Sequence, residues 1–544
     1  MVDVHSASNE LRLRARGGES PESLSHPALD LARRAGAGAR GVAFDEDVRR
    51  MAVRVAGGTT IHGGRAAGPE RMRGARVLAA YLHALADGGV HLITPDEGQA
   101  EEEGAHAEAV CRSLGVSVGV LRTDLGRAER KAAYDADVTV GAYRRFGLDL
   151  LHDRQAPSSA DLVRRDAPAA VVNDPGHVLI APVVEPLTLT EHDGSPAMEL
   201  RNVAWCATTL RAGTDYVVDA ERNVARLTPV GRSRMHDAYG VVDRAGMETL
   251  LLEKRIGEAL LAAGRFVRGQ DYDVVNGAVV RIPSGALPGG FRYDAGLRQA
   301  IEVMEGVAVS DAEWITATVS VFEYFRRYST VGGTSLAEIM FTDQLQELFG
   351  LEVWDRRTGD ELSTQRQYEQ EIIRYGELNR RIARWDRLGA RQRAELYALR
   401  ERTLTPHGLD TLVHRMINDA IRGEVRRSAG DPERLRRSLA QLVPGLPATR
   451  LVGVRELRRI ADIAAESAQV LCAGNLSRNR ERESQAVQHA INQAATYLAQ
   501  AEMYYRDLAW PDDLTDFEKA LTAIYERLCE ELGTAVARHV LQRG

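Results

Sequence analysis

Lysine is almost missing from this chain. Of its 70 basic residues only Lys131, Lys254 and Lys519 are lysines, and arginine supplies the rest. A mechanism that needs lysine at a fixed place, such as the phosphate-binding lysine of a P-loop, has three positions to draw on. Cysteine is scarce as well: Cys111, Cys206, Cys472 and Cys529 lie far apart with no CxxC pair. A zinc ribbon, a thioredoxin-type motif and a disulfide framework are therefore unsupported, and reduced cytosolic thiols are the simpler reading. No run approaches the roughly 20 apolar residues of a membrane-spanning helix, and the amino terminus lacks the apolar core of a secretory signal. The expectation is a cytoplasmic protein, with any membrane contact peripheral, at the inner face of the cell membrane. The net charge of −7 gives no global pull toward nucleic acid or an anionic bilayer and leaves only local basic patches open.

What is present is ordinary globular material, 44% apolar and 27% charged. At 544 residues the chain exceeds what one continuous core sustains, so three to four domains are expected. Residues 1–40 read as a helix with a loose connection. From about 41 to 200, short apolar runs at 90–94, 117–121, 137–140 and 169–172 alternate with helical stretches at 77–86 and 101–114. That alternation predicts a parallel sheet with crossover helices. Between 191 and 330 the pattern is less regular and predicts two hairpins, 216–228 and 271–282, the second turning at Asn276-Gly277. Beyond 356, apolar positions from Tyr368 to Leu399 recur every three or four residues, which predicts a long amphipathic helix at the head of an all-α region to 544.

The chemistry-bearing patterns are few. Gly57, Gly58, Gly63, Gly64 and Gly68 precede the Val77 helix, but without lysine and hydroxyl behind them they read as a turn-rich loop rather than a phosphate cradle. The run Ala169–Val172 ends in Asn173-Asp174, and an amide holds magnesium more weakly than a carboxylate. Gly333-Thr-Ser335 falls one residue short of a nucleophile elbow and reads as a loop or helix start. His407 and His414 read as surface or core residues rather than metal ligands. Phe322, Tyr324, Phe325 and Tyr328 read as core packing.

Several longer stretches resemble SecA, the motor ATPase of bacterial protein export. They are Val77–Leu85, Val90–Thr94 and Ser113–Leu121, then Glu129–Gly141, similar to "ERxAAYxADITYGT", and Phe146–Asp153, similar to "FGFDYLRDN". A second block, Phe291–Val307, is similar to "RRYSDGLHQAIEAKEGV", and the match runs collinearly over about 41–354. Residues from Ile373 to Arg402, and from Asp513 to Val540, resemble SecA's helical scaffold. The resemblance implies an α/β fold: a P-loop-NTPase-like parallel sheet domain over 41–200, an inserted α+β preprotein-binding-like domain over 201–330, a return to the first domain over 331–355 and a helical scaffold over 356–544. It also implies that Phe291, Arg292, Tyr293 and Gln299 are polypeptide-binding candidates.

The departures bear on activity. Where the family has its phosphate loop this chain reads Gly68-Pro-Glu-Arg-Met-Arg73, with Met72 and Arg73 near the lysine and threonine positions. Where the family has "VDEVDS" it reads Val172-Asn173-Asp174-Pro175. The long helix begins soon after Trp354, where the family has a second nucleotide-binding domain. Each lost phosphate or metal contact is worth about 10²–10³ in rate, so the expectation is a non-catalytic component of protein export that binds a polypeptide or protein partner, such as a full-length SecA or a translocon component. No cofactor is implied, and weak binding of ATP and magnesium stays open. The alternatives are a partner-dependent ATP-driven translocase subunit and a recruited assembly or regulatory scaffold.

Overall fold

The computed structural model describes residues 4–34, 44–86, 89–184, 186–193, 197–219, 224–241, 247–282, 295–310, 312–336, 342–356, 369–508 and 514–542. These form two compact units, one of Met1–Thr188 with Thr318–Ala390, the other of Leu189–Ala317 with Arg391–Gly544. The insertion and the last helices thus belong to one unit.

The first unit is built on a seven-stranded parallel sheet. Its strands are β1 (Thr59–His62), β2 (Val90–Thr94), β3 (Val118–Val120), β4 (Val138–Ala142), β5 (Ala169–Asn173), Thr330–Ser335 and Glu352–Asp355. Across the sheet they run Glu352–Asp355, β1, Thr330–Ser335, β5, β2, β4, β3. The inner strands are short continuous apolar runs because both faces are covered: β2 and β4 are buried at every position. Gly333–Ser335, expected as a loop or helix start, is instead the end of the strand Thr330–Ser335. Its pair Gly332-Gly333 lies where a Cβ would stand 2.1 Å from the Val55 carbonyl and 2.4 Å from the Val172 carbonyl, so only glycine lets the neighbouring backbone this close.

The described part of the amino-terminal segment forms helices α1 (Val4–Arg16) and α2 (Pro21–Arg34), whose Leu24, Ala28 and Leu29 join the main core, and residues 35–40 of the segment lie outside the described residues. The Ser8 hydroxyl meets the Tyr81 hydroxyl at 3.0 Å, and Arg12 donates to Asp137 at 3.1 Å. Helix α3 (Glu46–Ala56) is capped by Asp45. The glycine-rich stretch contains β1 and the first turn of α4 (Gly64–Ala84), which breaks at Gly68, whose φ of 69° falls in the left-handed region that glycine tolerates.

The second unit contains the insertion. The strands Leu187–Asp193 and Ala312–Val319 pair as its stem, and two hairpins follow, Tyr216–Asp219 with Val224–Leu227 and Tyr272–Val275 with Ala278–Arg281. Asn276 and Gly277 have φ of 53° and 78°, as a two-residue turn of this hand requires. Each hairpin is entered by the same Gly-x-Asp-Tyr turn. The N–H of Gly213 donates to the Tyr216 carbonyl at 2.8 Å, that of Gly269 to Tyr272 at 2.7 Å. Asp215 and Asp271 accept from Arg211 and Val267, each at 2.9 Å.

The long helix expected from the three-to-four spacing spans Glu369–Arg402. Only residues 356–368 separate it from the last strand, which leaves no room for a further α/β domain. Helices Pro406–Arg427, Pro432–Leu442, Ala448–Leu451, Leu457–Leu508 and Leu514–Gln542 complete the all-α region. The helix Leu457–Leu508 is interrupted at Asn479, whose φ and ψ of −140° and 45° are not helical.

Candidate functional site

In open parallel sheets ligands sit beyond the carboxyl ends of the strands, where the strand order reverses. Here that edge is formed by the ends of β1, Thr330–Ser335, β5 and β2, with α4 and α5 (Glu97–Cys111) leading away from it. Of the five candidates read from the sequence, Asn173 ends β5 and Asp174 follows it, while Gly68, Met72 and Arg73 lie in α4.

Met72 is fully buried, and its side chain lies against Gly63, where a Cβ would stand 2.1 Å from its terminal methyl. Arg73 points to α5, donating to the Glu102 carboxylate and lying 3.5 Å from His106 Nε2. Beneath it Arg76, missed by sequence reasoning, forms a two-pronged pair with Glu103 at 3.0 and 2.8 Å and donates to Thr334 Oγ1 at 2.6 Å. Arg76 is 5% exposed and Glu103 3%. A charged pair this deep holds only where geometry and extra hydrogen bonds offset desolvation, and here two guanidinium prongs and a strand hydroxyl supply both. The signal available in sequence was Arg76 and Glu103 on the apolar faces of two helices.

After β5, Asn173 donates from Nδ2 to Gln99 Oε1 at 3.1 Å. Asp174 takes a left-handed φ of 55°, uncommon for a residue other than glycine and tolerated best by Asp and Asn. Its carboxylate accepts from the Ser335 hydroxyl at 3.1 Å and faces His177 Nδ1 at 2.7 Å. Ser335 therefore meets the carboxylate rather than the imidazole, and the three residues have no nucleophile–base relay, which needs the hydroxyl on the histidine. Among the described residues no group of three or more His, Cys, Asp or Glu is placed to hold a metal ion.

The stretches that carry the SecA resemblance have structural work elsewhere in the first unit. Asp149, fully buried, accepts from Arg130 at 2.8 Å, Arg145 at 3.0 Å and the Tyr134 hydroxyl at 3.1 Å. Asp153 accepts the N–H groups of Val163 and Arg164 at 2.9 and 3.0 Å. The aromatic group is core, as expected: Phe322, Tyr324, Phe325 and Tyr328 are buried, and the Tyr328 hydroxyl meets His91 Nδ1 at 2.8 Å. Burial lowers the His91 pKa to about 3, so the ring is neutral at physiological pH.

In the insertion, Gln299 is 3% exposed and donates its amide to the Ser310 carbonyl at 2.6 Å, which ties helix Ala295–Met304 to the loop behind it. Phe291, Arg292 and Tyr293 lie outside the described residues.

The comparisons with known proteins fall on the same segments. A family model described as SecA DEAD-like domain matches residues 2–339. The protein translocase subunit SecA of Rubrobacter xylanophilus is 31% identical over 356 residues, covering 64% of this chain and 39% of that protein. That of Desulforudis audaxviator is 31% identical over 312 residues, 56% of this chain and 35% of its own. The protein translocase subunit SecA 1 of Corynebacterium efficiens is 31% identical over 306 residues, 55% and 36% respectively. The chain spans well under half the length of these relatives. Among the described residues no helix is long and apolar enough to cross a membrane. With more than half of its length matched by the family model, in the parallel-sheet architecture just described, this chain belongs to the SecA family.

Proposed function

We propose that this protein is a non-catalytic member of the family, a polypeptide- or partner-binding component linked to protein export, in which the sheet edge used for ATP is occupied by the chain's own side chains. One observation carries the reading: Met72 stands near the position the resemblance gives to the phosphate lysine, and it is buried against Gly63 where a phosphate cradle would open. The groups around it do not suit a magnesium-bound triphosphate. Arg73 and Arg76 are already paired with Glu102 and Glu103, and Asn173 and Asp174 are engaged by Gln99, Ser335 and His177. Phosphoryl transfer depends almost wholly on positioning and charge stabilisation, and a methionine supplies neither.

A second reading, a scaffold recruited for assembly or regulation with the old site packed shut, is favoured by the same buried Met72. Both readings predict no ATP turnover by the pure chain. The third, a partner-dependent translocase subunit, predicts turnover when an authentic SecA is added and its loss on D174N. A turnover assay of the chain alone, of a SecA alone and of the two mixed separates the third reading from the first two: no turnover by the chain and no rise above the SecA's own rate support a non-catalytic component, and stimulation abolished by D174N defeats it.

A further inference from the structure

We propose that the interruption at Asn479 is a hinge, a joint at which the two halves of the helix Leu457–Leu508 move against each other. Two independent observations meet there. The first is the backbone. Asn479 leaves the helical region, with φ and ψ of −140° and 45°, in a helix that contains no proline to impose a kink and whose single glycine, Gly474, is helical. The second is the packing. Among the described residues, buried apolar side chains stand no more than four residues apart from Ile460 to Leu476 and again from Val487 to Ala501, but between Leu476 and Val487 there is none. The neighbouring helices Pro406–Arg427 and Leu514–Gln542 show no such gap: their buried apolar side chains also follow within four residues of one another. A helix in a protein is held mainly by its packed apolar face, so about three turns without one mark the place where opening costs least. Ser477 and Asn479 are weak helix formers as well.

The ties across the gap are polar. Arg480 donates to the Pro406 carbonyl at 3.0 Å and to Asp410 at 3.2 Å, and the Ser484 hydroxyl donates to the Thr403 carbonyl at 3.0 Å. Glu483 faces His539 at 3.4 Å. The Arg480 and Asp410 side chains are 40% and 36% exposed, and a pair so open to water adds little.

The two halves are fastened to different parts of the unit. In the first, Glu466 pairs with Arg450 at 2.5 Å and Asn475 donates to the Val540 carbonyl at 2.7 Å. In the second, the Thr496 hydroxyl donates to the Thr316 carbonyl at 2.9 Å, in the stem strand Ala312–Val319 of the insertion. A joint at Asn479 lets the insertion and the helices around Arg450 shift against each other while both fastenings stay made. It is independent of what occupies the sheet edge.

Hydrogen exchange of the full chain, read by mass spectrometry, tests the opening. Amides of 477–484 are expected to exchange about tenfold faster or more than those of 463–472 and 491–499 in the same helix. N479A is expected to slow them about threefold, from alanine's stronger helix preference, and R480A to speed them while leaving both flanks unchanged. The movement is read as the distance between spin labels on Q469C/Q493C/C529S, two exposed positions in a chain whose other three cysteines are buried. An unbroken helix holds these positions about 36 Å apart. The expected result is a broad distribution reaching shorter distances, which narrows toward that value when N479A is added. Circular dichroism checks that each variant is folded. Equal exchange in joint and flanks, a single narrow distance without N479A, or R480A raising exchange along the whole helix would each overturn the proposal.

Discussion

Met72 lies across Gly63, with its methyl group 2.1 Å and its sulfur 3.0 Å from where a β-carbon at residue 63 would stand. Gly63 has an ordinary right-handed φ of −80°, so alanine there is opposed by this contact and by the Ala67 β-carbon, 2.8 Å away, and not by backbone strain. G63A is expected to cost about 1–3 kcal/mol, the range of an overpacked core. The double variant G63A/M72A is expected to be more stable than the two single changes sum to, by about 1 kcal/mol, because truncating the methionine removes the closest of these contacts and leaves the one with Ala67. Urea unfolding of the four proteins in the cycle measures that coupling.

Arg76 and Glu103 give a sharper asymmetry. R76M alone leaves Glu103 buried without its guanidinium and is expected to destabilise the first unit by about 3–5 kcal/mol. The double change R76M/E103L removes both charges and is expected to recover most of that loss, because the pair's mutual attraction mainly offsets its own desolvation. Thermal melts of the three proteins decide it.

His91 makes stability depend on pH. Its folded pKa is about 3, against about 6.5 in an unfolded chain. Between these values the unfolded state binds the extra proton, so stability falls as pH falls from about 6.5 toward 3, by up to about 1.4 kcal/mol per pH unit from this residue. The contribution is constant above about pH 7. Denaturant titrations at pH 7 and pH 5 are expected to show the loss, and H91Q, whatever its absolute stability, is expected to show a smaller difference between the two pH values.

Much of the architecture was legible because its signals are local. The runs at 90–94 and 169–172 are apolar on both faces, which marks strands buried within a parallel sheet. Asn276-Gly277 supplies the two positive φ values its turn needs, and the spacing from Tyr368 to Leu399 is that of a helix buried along one stripe. The strand Thr330–Ser335 was hidden because its Gly-Gly pair suits a loop, and only close packing against Val55 and Val172 explains why glycine stands in a sheet. Of the sheet edge, five residues were named from the sequence through the family resemblance. What they touch was not legible: Arg76 meets Thr334 across 258 positions of chain, a pairing set by the strand order. Gln299, a polypeptide-binding candidate by resemblance, is buried against Ser310, a contact that no local pattern announces.

A sheet edge filled from within leaves no place for nucleotide, and calorimetric titration of the full chain with ATP and magnesium tests this most directly. The prediction is no saturable heat, with thermal stability unchanged by nucleotide, because a ligand that does not bind the folded state cannot shift unfolding. Stoichiometric, magnesium-dependent binding with a matching rise in melting temperature would contradict it.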